Sequence, residues 1–220
     1  MPSPPTVKAI PRWTVAAGVA APALLVAGFL AAAALQPRSY NPVRDTISEL
    51  ASQRATDSWV MTSALVSLGL CYLLCAAGLR PAGRVCRCLL ATGGLATLAI
   101  AALRQPSHGY SLGHELAVIA AALTCCTWPA FAWHRPQHAP LLARHPSYAA
   151  AGVQIGLAAW YALESHGALL GVAERCAAAA PPLWLGAVAV TTRRALPRRP
   201  RVPRASDRSA RSRLARSACG

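Results

Sequence analysis

The chain has 220 residues, 55% of them hydrophobic and 13% charged, with a mean hydropathy of +0.36 and a formal net charge of +15. Most of its length goes into apolar runs, which leaves no room for a separate soluble domain and argues against a water-soluble fold. Ten of the 22 basic residues lie within 193–216, mixed with Pro, Ser and Ala and with no aromatic to stack on bases, so the charge points to anionic lipid headgroups and not to nucleic acid.

Residues 1–12 read as a short cytoplasmic N-terminal segment before the first apolar run. Between Arg12 and Arg38 there is no charged residue, and residues 13–35 are apolar almost throughout. Such a run matches the ~20 residues a helix needs to cross the ~30 Å hydrocarbon core of a bilayer. Small residues at 31–34 resemble a signal-peptidase site, but the run is longer than a signal h-region, so it reads as a span.

The first loop follows. Its segment Thr46-x-x-Glu49 has the spacing of a capping box, and Ile47 and Leu50 supply an apolar face. A short helix on the membrane surface is expected here, leading to Trp59 at the interface. Asp57 then precedes the second apolar window, 58–79, and Arg80 closes it. The third window, 88–103, is short and carries Gly93-Gly94, which permits close helix packing or an interface with another membrane protein.

The next loop holds His108 and His114, with Glu115 directly after. Ser111 is placed to cap the fourth window, 116–133, and Glu115 falls in the first turn, where the helix dipole favours an anion. The fifth window spans 148–163 and ends on Glu164. A carboxylate at a helix C-terminus is disfavoured, so Glu164 is expected to pair with Arg175 or His166. The sixth window, 176–192, contains Pro181-Pro182 and is expected to start late or to kink. Glu174 is expected at its N-terminal end. Residues 195–220 read as a basic, disordered cytoplasmic tail.

With the N-terminus inside, seventeen basic residues fall on the cytoplasmic side and five outside. The expected fold is therefore an all-α bundle of six transmembrane helices, residues 13–194, with both termini cytoplasmic and a plasma-membrane location.

Of eight Cys, Cys71, Cys75, Cys125 and Cys126 fall within spans and behave as small hydrophobes. Cys86 and Cys88 have no second pair to complete a zinc site. No established catalytic signature appears, and no cofactor is expected. The polar residues gather on the outer face. Asp45, Ser48, Glu49, His108, His114, Glu115, Glu164, His166, Glu174 and Arg175 are expected to line or rim an outer mouth that binds an amphiphile or small polar ligand. A membrane-embedded hydrolase using a metal at His108 and His114 is the alternative, and an assembly partner for other membrane proteins is a third reading.

The segment Tyr40-Asn41-Pro42-Val43-Arg44-Asp45-Thr46-Ile47-Ser48-Glu49-Leu50, leading to Trp59, resembles the first-loop signature of a bacterial multi-pass membrane family known as domain of unknown function 998. His114 at the opening of the fourth span, and Gly171-Val172-Ala173-Glu174-Arg175 followed by Trp184, are similar to its later landmarks. Arg104-Gln105-Pro106 stands where the family tends to carry an aromatic-Pro pair. The resemblance covers roughly residues 13–194. It implies a helical membrane fold and no defined activity.

Overall fold

The computed structural model describes residues 10–106, 111–132 and 139–195. Among them the secondary structure is helical, with no strand. There are six long helices and one short one: α1 (Arg12–Ala34), α2 (Ile47–Leu50), α3 (Trp59–Gly78), α4 (Gly83–Ala102), α5 (Leu112–Thr127), α6 (Arg144–Leu163) and α7 (Leu170–Ala195). Short 3₁₀ turns at Arg80–Ala82, Trp128–Phe131 and Pro140–Leu142 join them.

Four stretches are long and apolar enough to cross a membrane: Arg12–Ala34, Trp59–Gly78, Arg80–Ala102 and Leu112–Phe131. At ~1.5 Å per residue each covers the hydrocarbon thickness. α6 and α7, with 20 and 26 residues, have the length but more polar composition. Every long helix turns a large apolar side chain outward: Leu30, Leu70, Leu95, Leu123, Val153 and Leu183 are all exposed. Such surface is costly in water and natural in lipid.

α1 packs on α3, α3 on α4, α4 on α5, α6 on α7, and α7 returns to α1. The remaining side, α5 against α6, is reinforced by the Trp128–Phe131 turn packed on α6. The helices thus close into a ring.

Small residues set the spacing of this ring. A Cβ on Gly69 would lie 2.9 Å from the carbonyl oxygen of Gly94, and one on Gly94 would lie 2.9 Å from that of Gly69. The two backbones therefore touch, as glycine pairs allow between membrane helices. A Cβ on Gly93 would meet Cys125 Sγ at 2.5 Å. The Gly93-Gly94 pair is thus occupied by α3 and α5 within the fold, and is not a free face for another protein.

The last helix departs from expectation. It begins at Leu170, before the apolar window, and runs through Pro181 and Pro182 to Ala195. Both prolines are buried. Pro lacks the amide that would bond the carbonyl four residues earlier, a loss that packed membrane helices tolerate. The early start has a different cause, which lies in the first loop.

A cavity beneath the first loop

Loop 40–50 and the first turns of α7 interlock in both directions. The leading amides of α7, Gly171 N and Val172 N, donate to the Val43 carbonyl at 3.0 and 3.2 Å. In return the Glu174 carboxylate caps α2. Ile47 N donates to Glu174 Oε2, and Ser48 donates both its amide (3.3 Å) and its hydroxyl (2.9 Å) to Oε1. The capping box expected from the sequence is present beside it. Glu49 N donates to Thr46 Oγ1 at 3.0 Å, and Thr46 N donates to Glu49 Oε2 at 3.1 Å. The four N-terminal amides of α2 are thus all satisfied, half by its own box and half by a residue of α7.

Arg175 fastens the same loop. Its Nη1 donates to the carbonyls of Pro42 (2.7 Å), Asp45 (2.9 Å) and Gly171 (2.7 Å), and its Nη2 donates to the Tyr40 hydroxyl. The guanidinium also lies over the Phe29 ring, 5.7 Å from its centre. Burial raises the Tyr40 hydroxyl above its ordinary pKa, against the lowering effect of Arg175. Only glycine fits at 171, because a Cβ there would lie 2.4 Å from the Asp45 carbonyl.

Beneath this roof is a cavity of about 160 Å³. All six long helices and α2 contribute to its wall. Leu25, Leu68, Ile100, Val118, Ala158 and Ala178 supply apolar surface, one from each long helix. Ser48 and Glu174 stand at its roof, and Tyr72, Thr97, Cys125 and Tyr161 add polar atoms. Glu174 is 8% exposed and is the one charged side chain among the described lining residues.

The outer-face residues therefore have different fates. Ser48, Glu174 and Arg175 meet in one unit, with Asp45 and Glu49 beside it. Asp45 accepts the Asn41 amide at 2.6 Å and gives its carbonyl to Arg175. Burial is the main cause of a raised pKa at Glu49, partly offset by its bond from Thr46. Glu174 is not a dipole partner at the start of its own helix. It lies past the first turn of α7 and caps a different helix.

The expected pairing of Glu164 with Arg175 or His166 gives way to another arrangement. Glu164 accepts the Leu169 amide at 3.3 Å across the α6–α7 turn. Arg175 is committed to loop 40–45, and His166 is exposed. Asp57 accepts the Trp59 indole N–H at 3.2 Å, with Ser58 as the N-cap of α3.

At α5 the Ser111 hydroxyl accepts the His114 amide at 3.4 Å, as expected of a cap. Glu115 is in the first turn. The His114 ring is only 2% exposed and turns inward. Its Nδ1 lies 2.8 Å from the Leu103 carbonyl, which fixes the end of α4 to the start of α5, and its Nε2 is buried with no partner among the described residues. Since a carbonyl only accepts, Nδ1 carries the proton. His108 lies outside the described residues. Among the described residues no three His, Cys, Asp or Glu side chains come together to hold a metal.

Sequence reasoning missed Tyr40, Phe29 and Tyr161. Of these only Tyr40 had a signal, its position at the head of the motif. Pro181-Pro182 carried an unread signal as well, because they strip helical donors from Ala177 and Ala178, which both line the cavity.

This is an all-helical protein with membrane-like apolar helices around an internal cavity, roofed by a loop pinned to the last helix. A family model described as protein of unknown function (DUF998) matches residues 19–191, and the chain belongs to that family. No curated protein and no solved structure matches it.

Proposed function

We propose that this is a plasma-membrane protein with six spans and cytoplasmic termini, which holds the apolar part of an amphiphile in the cavity beneath loop 40–50. The observation that carries the reading is the cavity itself. It is walled by every long helix, is apolar over most of its surface, and meets polar groups only at its roof and at a few deeper points. Binding sites between helices have this character, with a few placed polar groups that orient the ligand. Its size also bounds the ligand. An apolar cavity of about 150 Å³ takes a benzene-sized molecule. A volume of about 160 Å³ therefore admits a ring or a short alkyl segment and not a whole lipid.

The length of α6 and α7 and their closure of the ring with the four apolar stretches support membrane spans there as well. The positive-inside balance supports an outward-facing roof.

A photoreactive alkyl probe, applied to the purified full chain in phosphatidylcholine nanodiscs, tests the cavity. Labelling should map to Ala121, Ala122, Ala177 or Ala178 and fall sharply in Ala122→Leu and Ala177→Leu, which fill the space. Labels confined to outward residues such as Leu123 and Leu183 would overturn the reading.

A further inference from the structure

We propose that the cavity selects an apolar molecule headed by a protonated amine, seated against Glu174 and Ser48. The proposal rests on the cavity reading above and names the ligand class.

The polar atoms of the wall are unbalanced. The Ser48 hydroxyl proton is spent on Glu174, at 2.9 Å, and the Thr97 hydroxyl proton on the Gly93 carbonyl, at 2.8 Å. What these groups still offer a ligand is lone pairs. Glu174 accepts three hydrogen bonds, and a carboxylate has room for about four. Two backbone acceptors add to the set. Pro181 and Pro182 have no N–H, so the carbonyls of Ala177 and Ala178 lack the donor that an α-helix supplies, and both residues line the cavity. The Tyr72 and Tyr161 hydroxyls bring one proton each to the wall, fewer than these acceptor positions, so acceptors are in surplus and the formal charge on the wall is negative.

Among the described lining residues no cation balances it. Arg175, next in sequence to Glu174, is not a lining residue and spends its guanidinium on three carbonyls and the Tyr40 hydroxyl. An anionic head would meet repulsion and unpaired acceptors. A neutral hydroxyl head would satisfy one acceptor. An ammonium carries three donors and the opposite charge, and hydrogen bonds between charged groups are the strong ones.

The test compares three ring-sized probes that differ only at the head: cyclohexylamine, cyclohexanol and cyclohexanecarboxylate. Each competes against the photoreactive alkyl probe on the full chain in phosphatidylcholine nanodiscs, a zwitterionic bilayer that favours neither ion. The amine should compete at about tenfold lower concentration than the alcohol, the gain of one charge-assisted bond, and the carboxylate should be weakest. A carboxylate as effective as the amine, or an amine no better than the alcohol, overturns the proposal and leaves the cavity reading standing. Failure of the alkyl probe to label the cavity removes that reading and this one with it. The Glu174→Gln variant should bring the amine down to the alcohol, and a preserved amine preference there would also overturn the assignment. Because the head-group comparison uses the unaltered chain, it holds even if that variant does not fold.

Discussion

Ser48 gives both its amide and its hydroxyl to one carboxylate oxygen of Glu174, 126 positions later in the chain. That contact joins the first loop to the last helix and sets the roof of the cavity. Because Glu174 is buried and Ile47 N also depends on it, the loss of its side chain leaves buried amides without acceptors. Glu174→Ala should lower the unfolding free energy in detergent by about 2–3 kcal/mol, and Glu174→Gln by less, since one acceptor oxygen remains. Equal, negligible losses in both variants would show that α2 does not depend on this cap.

Arg175 and Tyr40 should be energetically coupled. The guanidinium reaches four acceptors in a fixed fork, and an ammonium on a flexible stem cannot span them. Arg175→Lys and Tyr40→Phe, singly and together, form a double-mutant cycle with an expected coupling of about 1 kcal/mol. Strict additivity would mean that their contact contributes nothing to holding the loop.

Glu49 separates a capping role from a charge role. Burial raises its pKa, so folding favours the protonated form, and its contribution to stability declines as pH rises from the ordinary carboxylate value of 4.5 through the higher folded value. Glu49→Gln keeps an oxygen for the Thr46 amide and removes this decline. It should match the parent below that window, exceed it at neutral pH, and show a flatter stability profile across the window. Glu49→Ala loses the box and should cost about 1 kcal/mol. A pH profile identical in parent and Glu49→Gln would contradict the burial effect.

Topology has its own check. Reporter fusions after Gly220 and within 80–87 should read cytoplasmic, and one within 37–57 should read external, following the distribution of Arg. An external signal at the C-terminus would invert the molecule and move the cavity roof to the cytoplasmic side.

The parts of this protein that were legible in its sequence depend on residues within a turn or two of each other. Apolar runs reveal helices of membrane length because bilayer thickness is a fixed ruler, and Thr46 with Glu49, and Ser111 before α5, reveal caps because a cap's donor and acceptor lie three positions apart. The tertiary structure decided which distant groups these elements meet. Arg175 and Glu164 lie on either side of one short turn, yet Arg175 finds two carbonyls and a hydroxyl on loop 40–45 while Glu164 turns to the Leu169 amide. Glu174, expected at the start of its own helix, caps another one. His114, expected at an outer rim, is turned into the α4–α5 contact. A polar side chain takes the partner that the closed ring of helices brings within ~3 Å, and sequence spacing carries no information about that distance once the partner lies on another element.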